Sequence, residues 1–116
     1  MVNIEEMREY RGRMNEKVLA SGNLEIQRFF ALDDRAYKGG ALPVTTKELM
    51  GLVASVVLRC NECIFYHMDR CVGEEVPPEE IHEALSIALV VGGSITIPHI
   101  RFAFEAMDAL LEERES

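Results

Sequence analysis

The sequence predicts an all-α fold of about six helices, and three observations carry that expectation. Apolar residues recur three and four positions apart in successive blocks, helix-start residues precede those blocks, and glycines punctuate their ends. With 116 residues and no long linker, repeat or low-complexity tract, the chain reads as a single domain over 1–116. Val90-Val91 and Ser94 to Ile97 contain β-branched residues, but a lone strand there would have no partner, so helix is preferred.

Asn3 suits the cap of a first helix, with Glu5 and Glu6 in its first turn and Met7, Tyr10, Met14 and Val18 at helical spacing. Ser21-Gly22 breaks it. A second helix after Asn23 presents Ile26, Phe29, Phe30 and Tyr37 up to Gly39-Gly40, and this first pair is expected to serve packing. Thr45-Thr46-Lys47-Glu48 opens a third helix with Leu49, Leu52, Val53, Val56 and Val57 on one face. Met50, Ala54 and Leu58 make it apolar nearly all round, which predicts a buried helix. The cysteine segment then runs as a fourth helix to Val72, with Gly73 as its stop. Pro78, followed by Glu79 and Glu80, starts a fifth, carrying Ile81, Ala84, Leu85, Ala88 and Leu89 to Gly92-Gly93. A last helix carries Ile100, Ala103, Phe104, Met107, Leu110 and Leu111, and Pro98 is tolerable in its first turn.

Composition narrows the function. Net charge is −8, with a pI of about 4.8, which argues against a nucleic-acid or anionic-membrane surface. The uncharged run Leu49 to Leu58 is short of the roughly 18–20 residues a membrane span requires. Met1 to Glu6 has no basic stretch followed by an apolar one, so no secretory signal is read, and a cytoplasmic location is expected. Three cysteines in a reducing compartment point to redox or metal chemistry rather than a disulfide framework.

The chemistry-bearing stretch is Cys60-Asn61-Glu62-Cys63-Ile64-Phe65-Tyr66-His67. Two thiols three apart and a histidine four further on share one stripe of a helix. Cys60 directly follows Arg59, where the third helix must end for the chain to turn back. Both thiols then fall near the N-terminus of the next helix, where unpaired N–H groups and the dipole favour thiolate. His67 is the candidate base for Cys63. Cys71 reads as a packing residue, and His82 and His99 as structural.

Cys60, Cys63, His67 and Cys71 also spell a spacing close to a zinc knuckle. Along a continuous helix Cys60 and Cys71 lie about 16 Å apart, too far for one metal. A three-ligand set of Cys60, Cys63 and His67 stays open, and no cofactor is called for.

Thr45-x-x-Glu48 has the form of a capping box, which alone would account for the glutamate. Glu48 also lies about 18 Å of helix before Cys60, and an antiparallel return of about 10 Å to His67 leaves roughly 8 Å. Two side chains and a bridging water span that gap, so Glu48 is a candidate to polarise His67 indirectly.

Glu48-x11-Cys60-x2-Cys63-x3-His67 resembles the active-site signature of the alkylhydroperoxidase-D-like branch of the carboxymuconolactone decarboxylase family. Thr46-Lys47-Glu48-Leu49, Arg59-Cys60, Tyr66-His67, Glu83-Ala84-Leu85 before Gly92-Gly93, and Phe29 to Asp33 extend the likeness over most of the chain. The resemblance implies a helical fold assembling as a homotrimer or homohexamer, with the cysteines cycling between dithiol and disulfide. It also implies a proton relay carried on Glu48, Cys60, Cys63 and His67. One position departs: some peroxidase members have a second histidine just before the second cysteine, where this chain has Glu62, and an acid there opposes thiolate formation.

The leading expectation is a thiol oxidoreductase acting on a peroxide or partner disulfide, regenerated by a dithiol protein or small thiol. Its catalytic residues would be Cys60, Cys63, His67 and Glu48. The alternatives are decarboxylation of a small lactone acid by His67 and Glu48, and a non-enzymatic metal-binding or assembly module.

Overall fold

The computed structural model describes residues 2–116, and among them there are six α-helices, one 3-10 turn and no strand. The helices are α1 (Ile4–Ala20), α2 (Leu24–Ala36), α3 (Val44–Val57), α4 (Asn61–Gly73), α5 (Pro78–Gly92) and α6 (Ile97–Glu115), with the 3-10 turn at Ser94–Thr96. The chain divides into two compact units, Asn3–Val44 and one built on Thr45–Ser116.

In the first unit, side chains rather than burial define the helix starts. Asn3 accepts from the Glu6 N–H and Asn23 from the Ile26 N–H, each at 3.0 Å, satisfying donors that a helix start leaves unpaired. Neither α1 nor α2 has a buried residue. Phe29, expected to pack, is 65% exposed.

The second unit holds the core. Leu52 and Val56 of α3 and Ile64, Phe65 and Met68 of α4 are buried, as are Ile81, Leu85 and Ala88 of α5 and Ala103, Met107 and Leu110 of α6. These are the i, i+3, i+4 stripes of the sequence, now facing one another. Helix α4 packs chiefly on α6. Arg114 near the end of α6 donates to the Val72 carbonyl at 3.2 Å and ties those two helices together.

Helix α3 departs from expectation. It buries Glu48, Gly51, Leu52, Ser55 and Val56, but Met50 and Ala54 lie exposed, and so does Leu58 just beyond its end. An all-round apolar helix needs neighbours on every side, and one chain supplies them on one side only. The join to α6 follows its glycines closely. Gly93 takes a φ of +79°, and a Cβ on Gly92 would come 2.5 Å from Thr96 Cγ2, so neither position suits a larger residue.

Candidate functional site

The site is built on the α3–α4 turn. Arg59 N–H donates to the Val56 carbonyl and Cys60 N–H to the Ser55 carbonyl, both at 3.0 Å. This pair of bonds is a Schellman closure, and its left-handed position is filled by Arg59 at φ +59°. The turn delivers Cys60 as the N-cap of α4, with its backbone extended and its sulfur accepting the Cys63 N–H at 3.2 Å. Cys60 and Cys63 are joined as a disulfide, with Cα atoms 5.3 Å apart, inside the range such a bridge needs. Cys63 is exposed and Cys60 partly covered. Their place in the first turn of α4 favours thiolate once the bridge is reduced, because the helix N-terminus carries partial positive charge.

One turn along α4, His67 lies under the cysteines. Its i, i+4 relation to Cys63 sets their Cβ atoms about 6 Å apart. His67 Nδ1 is 2.8 Å from Oε1 of Glu48, whose residue is only 1% exposed. A carboxylate only accepts, so Nδ1 carries the hydrogen of this contact, and in the neutral imidazole the lone pair is then on Nε2. The contact is direct. The bridging water that the helix-rise estimate required is not needed, since rise alone ignores how both side chains lean into the space between the helices.

The capping-box reading of Glu48 also yields. Helix α3 already begins at Val44, so Thr45 lies within it, and the Glu48 carboxylate is taken by two side chains of α4. The second is Arg70, whose Nε lies 3.5 Å from Glu48 Oε2. Sequence reading missed Arg70. The signal was there: it stands three residues after His67 and seven after Cys63, on the same stripe.

The remaining candidates sort by their contacts. Cys71 is a free, fully buried thiol. Burial first, then the Glu48 charge, pushes its pKa up to about 12 against an ordinary 9.0, with Arg70 pulling the other way. His82 stacks on Phe104 with ring centres 5.1 Å apart. His99 Nδ1 sits 2.8 Å from Oδ1 of Asn61, a contact across 38 positions that no local spacing announces. Among the described residues, no three His, Cys, Asp or Glu side chains are grouped to hold a metal ion. No helix among them is long and apolar enough to cross a membrane.

The model of the Carboxymuconolactone decarboxylase family matches residues 26–108, which include the whole Glu48-to-Arg70 cluster. The chain belongs to the carboxymuconolactone decarboxylase family. A crystal structure of a Thermotoga maritima protein superposes with a TM-score of 0.93 at 56% identity, covering 96% of this chain and 97% of that one. A second structure from Thermotoga maritima has a TM-score of 0.91 at 55% identity, covering 95% and 93%. It is described as a carboxymuconolactone decarboxylase family protein for which a part in the antioxidative response is raised as a possibility. A family protein from Legionella pneumophila, crystallised in its apo form, has a TM-score of 0.85 at 26% identity over 92% of this chain and 96% of that one. An uncharacterized protein of Cupriavidus necator is 28% identical over 75 residues, 65% of this chain and 66% of that protein.

Proposed function

We propose that the protein is a thiol-dependent oxidoreductase of the alkylhydroperoxidase-D-like type, with Cys60 and Cys63 as its redox pair. The observation that supports this most is the disulfide at the N-terminus of α4, one turn above a buried imidazole–carboxylate pair. In the reduced protein, His67 Nε2 takes the Cys63 proton and the thiolate attacks a peroxide oxygen. The O–O bond breaks, an alcohol or water leaves with that proton, and Cys63 becomes a sulfenic acid. Cys60 then attacks the Cys63 sulfur, water is released, and the disulfide forms. A dithiol protein or small thiol returns both cysteines to thiols and is itself oxidised. A partner disulfide can replace the peroxide as electrophile, with a mixed disulfide as the intermediate.

The antioxidative role raised for the Thermotoga maritima relative supports the same reading, and the reductant that this reading calls for suits a cytoplasmic setting. The working unit in this reading is a homotrimer or homohexamer, since the helices leave apolar residues uncovered. The disulfide beside the His67–Glu48 pair favours this reading over a lactone decarboxylase, which would leave the two cysteines without a part.

Thiol titration before and after peroxide, with a peroxide-consumption assay driven by a dithiol, tests the reading. Two of the three thiols should disappear reversibly and peroxide should be consumed, and Cys60→Ser and Cys63→Ser should each abolish turnover. Full turnover in both variants would end the proposal.

A further inference from the structure

Glu48 has two carboxylate oxygens, and only Oε1 faces the imidazole. Oε2 faces Arg70 Nε at 3.5 Å, while a terminal nitrogen of the same guanidinium lies 3.6 Å from Glu74 Oε1. The burial of the pair is lopsided: the Glu48 side chain is 1% exposed and that of Arg70 46%. A carboxylate withdrawn from water needs a countercharge and filled lone pairs. A neutral imidazole fills one oxygen but supplies no charge, so the guanidinium is the group that does. Arginine suits the task, because its planar fork can hold Glu48 with one edge and Glu74 with another.

Cys63, His67 and Arg70 lie at i, i+4 and i+7 of α4, so thiol, base and cation form one ridge. Helix α3 answers with a single acid that touches both of the last two. Two effects of Arg70 on His67 oppose each other. Its positive charge disfavours a second proton on the ring, while its hold on Glu48 keeps an anion against Nδ1. The first is weak, because two carboxylates within 4 Å already offset that charge. The second acts through a direct 2.8 Å contact between two buried side chains.

We propose that Arg70 is a positioning residue for the proton relay: it neutralises and aims the Glu48 carboxylate so that Oε1 stays on His67 Nδ1, which sets how readily His67 accepts the thiol proton. This deepens the thiol-oxidoreductase reading and rests on it. The buried Cys71 thiol, next to Arg70 in sequence, feels both charges, in opposite senses.

The test is the alkylation rate of the reduced protein at neutral pH, read with the nitrogen-bound proton resonance of His67 by NMR. Arg70→Gln should slow alkylation about 10-fold, less than the ~10²-fold expected for losing general-base help itself. It should also shift or broaden the His67 resonance. Arg70→Lys, which keeps the charge but loses the fork, should recover part of the rate. Glu74→Gln, which removes one of the two carboxylates offsetting Arg70 but leaves the Glu48 contact in place, should change the rate far less than Arg70→Gln. In a Glu48→Gln background, Arg70→Gln should add nothing, because its target charge is gone.

A lowered melting temperature with an unchanged rate and resonance would make Arg70 a structural clamp and overturn the proposal. If Arg70→Gln does not fold, Arg70→Lys decides through the same resonance, and an unmoved signal overturns the idea. Both readouts use alkylating reagent rather than peroxide. A wild-type protein inert to peroxide would therefore sink the oxidoreductase reading while the Arg70 result still stood or fell by itself.

Discussion

The Glu48–His67 contact matters for catalysis only if the carboxylate's charge, and not just its shape, is used. Glu48→Gln keeps the side chain's size and an acceptor oxygen toward Nδ1 but removes the charge. Alkylation of the reduced protein should slow by ~10²-fold, the usual reach of general-base help, and His67→Asn should slow it at least as much. The double variant should be no slower than His67→Asn alone, since the two act in series. An unchanged rate in Glu48→Gln would reduce the glutamate to a packing role. The third cysteine gives a separate prediction, with a sign. Its folded-state pKa, raised to about 12, exceeds the ordinary 9.0, so the native state keeps a proton the unfolded chain gives up. The stabilisation is complete below pH 9 and is lost as pH climbs from there toward 12, with a slope of at most about 1.4 kcal/mol per pH unit. Urea unfolding across that window should show a shallower decline in Cys71→Ala than in wild type, and equal slopes would contradict the buried-thiol assignment. Native protein should meanwhile expose two alkylatable thiols after reduction, and denatured protein all three.

At the scale of elements, two helix ends adopt a left-handed residue without a glycine. Besides Arg59, Glu75 sits at φ +60° after α4, with Glu75 N–H on the Val72 carbonyl and Val76 N–H on that of Cys71, both at 3.0 Å. Glu75→Gly should raise stability by about 0.5–1 kcal/mol, the ~1–2 kcal/mol of left-handed strain less the extra entropy glycine loses on folding. A lower urea midpoint in the variant would show that the closure holds no such strain. This end also marks a limit of sequence reading. Gly73 was the expected stop of α4, yet it is the last helical residue, and the left-handed turn comes two positions later. Val76, only 2% exposed, explains why: placing the turn at Glu75 brings an apolar residue down onto the core, and that burial outweighs glycine's backbone advantage. Where punctuation and burial agree, the elements were legible. Asn3 caps α1 as read, α2 starts after Asn23, Pro78 opens α5 and Gly92-Gly93 close it, because those signals act through the local backbone. The site was legible to the same depth. Cys63 and His67 share α4 and Cys60 caps it, so spacing places them, and the 19-residue step to Glu48 could be bounded by helix rise. Arg70 and the His99–Asn61 contact depend on how α4 meets α3 and α6, which spacing within one helix does not encode.

Across the whole molecule, apolar surface remains uncovered in both compact units. Helices α1 and α2 bury nothing, and Leu24, Phe29 and Leu32 of α2 are all more than half exposed. In the other unit Leu58 is 77% exposed, Val90 81% and Val91 67%, the last two at the end of α5, with Ile87 one turn earlier and Ile95 in the 3-10 turn that follows, both exposed as well. Small domains leave some apolar area in water, but hydrophobes grouped on successive turns, rather than scattered singly, mark a surface that meets another protein. A second copy of this chain is the partner that fits the proposed trimer or hexamer, since the same patches then recur on every subunit and close by symmetry. Light scattering at micromolar concentration should give three or six times 13.1 kDa. Val90→Asp and Val91→Asp together place two charges on the patch without touching a buried position, so each subunit should still fold while the mass falls. Circular dichroism would confirm that helix content is kept. A wild-type mass of one chain at that concentration would rule out the assembly. If the assembly held but the paired aspartates left its mass unchanged, the contact would have to lie elsewhere, and the exposed apolar residues of α2 would be the next to alter.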